Sequence, residues 1–142
     1  MKKLTLLFTT LFIGAVVFAQ DEAPEPAKHS DVTWHTVSVI DFKPGKAEDA
    51  KKLIAKFESA GVAAQTPSPI VYWFETGKYD MVVTWELEEG PADLEWNWSP
   101  DGVKWREAFV AQEGSEEAAQ KLEDEYTSLI ASSVKNVARK SK

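Results

Sequence analysis

Two neighbouring runs, Ile-Val-Tyr-Trp-Phe at residues 70–74 and Met-Val-Val-Thr-Trp at residues 81–85, are apolar at odd and even positions alike. Side chains alternate between the two faces of a strand, so strands of this kind need both faces covered. The helical stretches of the chain suffice for one covering layer. A second copy of the same sheet is the simplest source of the other. The sequence therefore predicts a homodimer joined through a sheet face, and leaves open which face that is.

The flanking segments supply the order of elements. Residues 32–42 (VTWHTVSVIDF) are rich in β-branched and aromatic side chains and read as a strand ended by Pro44-Gly45. Residues 46–60 change period: Ala47, Ala50, Leu53, Ile54, Phe57 and Ala60 fall at helical spacing, and Gly61 is expected to cap that helix. Thr66-Pro67-Ser68-Pro69 forbids a continuation. Residues 70–76 and 79–87 then make a hairpin. Gly77-Lys78 suits a type II′ turn, which sets Phe74 opposite Met81, Tyr72 opposite Val83 and Ile70 opposite Trp85. That register also faces Glu75 with Asp80, an unfavourable carboxylate pair. A three-residue loop, which swaps partners between the faces, is the alternative.

Ser99-Pro100 opens a second helix, Gly114 breaks it, and Ser115 starts its other half, where Ala118, Leu122, Tyr126, Leu129 and Ile130 form the buried stripe. Ser132, Ser133, Val134 and Val137 favour a last strand over continued helix at residues 131–139. The order is β-α-β-β-α-β with the second helix broken in two. This is an α+β, ferredoxin-like domain on one mostly antiparallel four-stranded sheet.

The first nineteen residues belong to a different kind of segment. Lys2 and Lys3 precede a run at residues 4–18 that is apolar apart from three threonines and Gly14, and Val17 and Ala19 put small residues at −3 and −1 of a signal-peptidase site. The run is too short and too broken for a spanning helix. The reading is a signal peptide at 1–19, a disordered linker at 20–30, and a folded domain at 31–142. The destination is secreted or periplasmic, with no membrane insertion after cleavage. Cleavage removes two lysines and no acid, leaving 14 basic against 23 acidic residues, a formal charge of −9. That acidity argues against nucleic-acid binding, and the lack of cysteine excludes disulfides and thiolate metal sites. With two histidines in all, no metal and no cofactor are expected.

The stretch VSVIDFKPGKAEDAKKLIAKFE, a strand passing through Phe-Lys-Pro-Gly-Lys into an amphipathic helix, resembles the dimeric α/β-barrel superfamily. The likeness is to its antibiotic-biosynthesis-monooxygenase-like and stress-responsive barrel members. It extends by pattern over residues 32–139 and implies two ferredoxin-like subunits packed sheet against sheet, with a pocket between each sheet and its helices. Members include cofactor-free oxygenases and haem-degrading enzymes. The haem-degrading members carry a histidine ligand on the second helix, and this chain has no histidine beyond residue 35. The superfamily thus implies a fold more firmly than a reaction.

The candidate site residues are aromatic. Trp85, Trp96, Trp98 and Trp105 are the expected lining of a ligand pocket, because Trp96 and Trp98 fall in a connection where a large ring must find something to cover. His35, Tyr72 and Asn97 are the groups available for proton transfer or substrate orientation. The resulting expectation is an exported protein that binds a small apolar or aromatic compound, and, if an enzyme, a cofactor-independent monooxygenase-like one. The alternative is a non-catalytic envelope or secreted protein whose Trp-rich loop contacts a protein or glycan.

Overall fold

A computed structural model describes residues 25–142. The segment at 1–19 read as a signal peptide and the first part of the expected linker lie outside the described residues. Residues 25–30 form no helix or strand and are exposed. The domain then runs β1 (Val32–Phe42), α1 (Ala47–Ala64), β2 (Ile70–Trp73), β3 (Met81–Leu87), a 3-10 turn (Gly90–Glu95), α2 (Pro100–Glu113), α3 (Glu116–Leu129) and β4 (Ile130–Ser141). The four strands lie in the order β2-β3-β1-β4, every neighbouring pair antiparallel. This is the ferredoxin-like α+β arrangement.

The β1 pairings divide the sheet into two faces. Trp34, Thr36, Ser38 and Ile40 point to one side with Leu87, Trp85, Val83 and Met81 beside them on β3. The helices cover this inner face, where Ile40, Phe42, Met81, Leu53 and Leu129 form the core with Val71, Trp73 and Tyr126 packed against it. The outer face carries His35, Val37 and Val39, then Val82 and Thr84, Ile70 and Tyr72, and Val134 on β4. No helix covers it.

The hairpin takes the alternative register. Trp73 pairs with Met81, Tyr72 with Val82 and Ile70 with Thr84. The two-residue turn at Gly77-Lys78, with Phe74 opposite Met81, is thereby corrected by one position, and the strands are shorter than 70–76 and 79–87. The reason lies with Asp80. Phe74 donates its amide to the Asp80 carbonyl, while the Asp80 carboxylate accepts the Phe42 amide at 2.7 Å, where β1 departs from regular register. The acid that would have opposed Glu75 instead satisfies a backbone donor on β1.

Gly61 does not cap α1. The helix runs on to Ala64, and Gln65 adopts the left-handed conformation at φ 56°. The amides of Gln65 and Thr66 return to the carbonyls of Val62 and Gly61, a Schellman closure, with Pro67 next in line. A Cβ at Gly61 would be in ordinary contact with the Thr66 hydroxyl at 3.6 Å and the Trp105 ring at 3.8 Å. The broken second helix is as read. Ser99 accepts the Gly102 amide, Gly114 turns left-handed at φ 89°, and Ser115 accepts the Ala118 amide. Ile130, placed in the α3 stripe from sequence, is the first residue of β4.

A second core cluster joins the three helices. Phe109 is fully buried, Trp105 stacks on it at 5.1 Å, and Phe57 meets Phe109 and Tyr126 edge-on at 5.2 and 5.5 Å. Arg106 lies between Glu116 and Glu123, and those carboxylates raise its pKa and fix α2 against α3.

Candidate functional site: an aromatic cleft between sheet and helices

The helices leave part of the inner sheet face open. A cleft of about 810 Å³ lies there, floored by Thr36, Val71, Val83 and Trp85. Its walls come from Ile54 and Phe57 on α1, the 66–69 segment, the 3-10 turn, and the start of α2. Each wall has a local cause. The Thr66-Pro67-Ser68-Pro69 sequence cannot continue α1, so it forms an irregular rim. Gly90 (φ 69°) lets the chain turn tightly over Trp34, whose ring would stand 3.2 Å from a Cβ there. That packing places the 3-10 turn and Trp96 at the mouth.

Trp105 is the fixed part of the wall. Its indole N–H donates to the Phe57 carbonyl at 3.0 Å, and Phe57 and Phe109 pack on its ring. Trp85 and Trp96 are 45% and 54% exposed, so their rings face the cleft with room to receive a partner. Tyr126 also lines the cleft, and burial pushes its phenol up, keeping it protonated. Thr36 is only 6% exposed and presents the one buried polar side chain of the described residues to this space.

Of the four expected pocket residues, Trp85, Trp96 and Trp105 line the cleft. Trp98 does not; it is 56% exposed and rests near Gly102 at the start of α2. The three expected proton-transfer groups do not converge. His35 lies on the outer face, its Nε2 2.9 Å from the Thr33 hydroxyl, with Glu86 opposite on β3. Tyr72 is also on the outer face, and Asn97 is exposed on the connection after the 3-10 turn. Glu86 is the acid that spacing along one strand does not reveal, because only the β1–β3 register brings it to His35. Thr36, Phe57 and Tyr126 were not singled out for the site. Thr36 had a signal, as a polar side chain on the same alternation as Trp34 and Ile40. Among the described residues, no group of three or more histidine and acidic side chains is placed to hold a metal ion.

No protein-family model matches the chain, and no curated protein matches it in sequence. Solved structures do match in shape. A NipSnap family protein of unknown function from Agrobacterium tumefaciens str. C58 superposes with a TM-score of 0.51 at 14% identity, over 80% of this chain and 93% of that one. A second NipSnap family protein from the same organism superposes with a TM-score of 0.50 at 16% identity, over 84% and 96% of the two chains. At these identities the likeness is one of fold, and the chain shares with those NipSnap proteins a small ferredoxin-like α+β architecture.

Proposed function

We propose that this chain is an exported small-molecule-binding protein of the dimeric α/β-barrel type, which takes an apolar or aromatic compound into the cleft between its sheet and its helices. The observation that carries the reading is the cleft itself. Its 810 Å³ lies within the range of small-molecule sites, and Trp85, Trp96, Trp105 and Phe57 give it the aromatic lining such sites use. Export is supported by the Lys2-Lys3 start, the apolar run and the small residues at 17 and 19. The outer sheet face supports a dimer. Ile70, Tyr72 and Val134 are 54%, 57% and 50% exposed beside Val37, Val39 and Val82, an apolar surface that a second copy would cover. This is binding before it is catalysis, since His35, Tyr72 and Asn97 stand away from the cleft.

Paired substitutions test the reading. Trp96→Ala should weaken the binding of a neutral aromatic probe such as 4-phenylbutanol about tenfold, on the scale of one lost aromatic contact. Trp98→Ala should leave that binding unchanged. Equal effects from the two substitutions would move the ligand out of the cleft. Loss of a glycan or protein contact with Trp98→Ala alone would favour the loop as a contact surface, for which the exposure of Trp98 speaks.

A further inference from the structure

The charge around the cleft selects among apolar ligands. Glu58 on α1, Glu88 and Glu89 after β3, Asp93 in the 3-10 turn and Asp101 on α2 all line it, whereas Lys135 is its one basic lining residue among the described residues. Two of these acids are engaged. Asp93 accepts the Glu89 amide at 3.0 Å, and Asp101 pairs with Lys104 at 2.8 Å. Glu58, Glu88 and Glu89 have no salt-bridge partner among the described residues, although Lys104 lies within electrostatic reach of Glu88. Lys135 stands on β4 opposite Ser38, which pairs with Val83 on its other side. The ammonium-bearing strand is therefore two strand spacings, about 10 Å, from the β3 floor.

A second observation points to an occupant. Thr36 is more than nine-tenths buried, lines the floor beside Trp85, and its hydroxyl makes no side-chain hydrogen bond among the described residues. The hydroxyl is open to the cleft rather than sealed, so water or a polar group of an occupant can bond to it there. Tryptophan faces attract a cation, and carboxylates beside a partly enclosed apolar surface strengthen that attraction beyond its value in water.

We propose that the cleft takes an amphipathic organic cation, a protonated amine held at the rim by Glu58, Glu88 and Glu89 with its apolar body among Trp85, Trp96 and Trp105. The proposal rests on the reading of the cleft as a ligand site and specifies the chemical class that enters it. The Thr36 hydroxyl then meets a polar substituent at the inner end of the ligand.

Three probes with one body separate the possibilities: 4-phenylbutylamine, 4-phenylbutanol and 4-phenylbutyrate, titrated by calorimetry into the purified protein at neutral pH. The amine is expected to bind about tenfold more tightly than the alcohol, and the carboxylate more weakly than either. Glu58→Gln combined with Glu88→Gln should bring the amine to the affinity of the alcohol and leave the alcohol unchanged. Both positions are exposed, so circular dichroism should show the fold intact. Equal binding of all three probes, or tightest binding of 4-phenylbutyrate, would overturn the cation proposal and keep the cleft as a neutral or anion-accepting site. Failure of all three to bind would overturn the cleft reading as well.

Discussion

At the residue scale, the site is made of side chains whose roles depend on neighbours far away in sequence. Trp105 is fixed because its N–H reaches the Phe57 carbonyl, forty-eight positions earlier. Tyr126 is held between Phe42 and Phe57, and desolvation alone lifts its phenol above the ordinary value of 10.0. An unfolded tyrosine ionises first as pH rises. The stability that the neutral phenol contributes is therefore whole below about pH 10 and is lost as pH rises through its folded value. Tyr126→Phe should remove that loss: in urea melts between pH 9 and pH 11, the wild type falls in stability more steeply than the variant. Parallel slopes would show that the phenol is not desolvated in the folded chain. The aromatic set was legible from sequence, since three of the four expected tryptophans line one cleft. The proton-transfer set was not, because Tyr72 shares its outer face with His35 and neither position reveals its face until the register is known.

At the element scale, local chemistry marked most boundaries. β1 spans residues 32–42 as expected because β-branched residues precede a Pro-Gly stop, and both halves of the broken helix start at a serine. Ser99 and Ser115 each accept an amide three residues on, at 3.0 and 3.1 Å. Ser99→Ala should cost about 1 kcal/mol, the usual value of an N-cap, and Ser99→Gly less. Denaturant melts of the two variants check this, and equal losses would mean that the side-chain oxygen is not the cap. Two boundaries fall elsewhere than the local signals put them. Gly61 looks like a cap in sequence, but α1 runs on to Ala64 and closes at left-handed Gln65 just before Pro67. The Gly77-Lys78 turn looks complete, but Asp80 is drawn to the Phe42 amide on β1. There a tertiary contact overrides a local preference.

At the scale of the whole molecule, the sheet presents two apolar faces and the helices cover one. The two-sided runs at 70–74 and 81–85 made this legible, and the structure assigns Trp73 and Met81 to the helix side and Tyr72 and Val82 to the open side. A charge on each side should behave differently. Val82→Glu should convert the proposed dimer to a folded monomer, seen as a halved mass by light scattering. Trp73→Glu should instead unfold the domain, because it places a carboxylate against Phe42, whose ring lies 6.1 Å from that of Trp73. A wild type that is monomeric at micromolar concentration would remove the dimer. If the inner cleft receives the ligand, the six tryptophans report on it directly. In an NMR titration with 4-phenylbutanol, the indole N–H signals of Trp85, Trp96 and Trp105 should shift, while those of Trp34 and Trp73 hold still. Shifts centred on Trp98 or Trp73, or no shift at any indole, would contradict it.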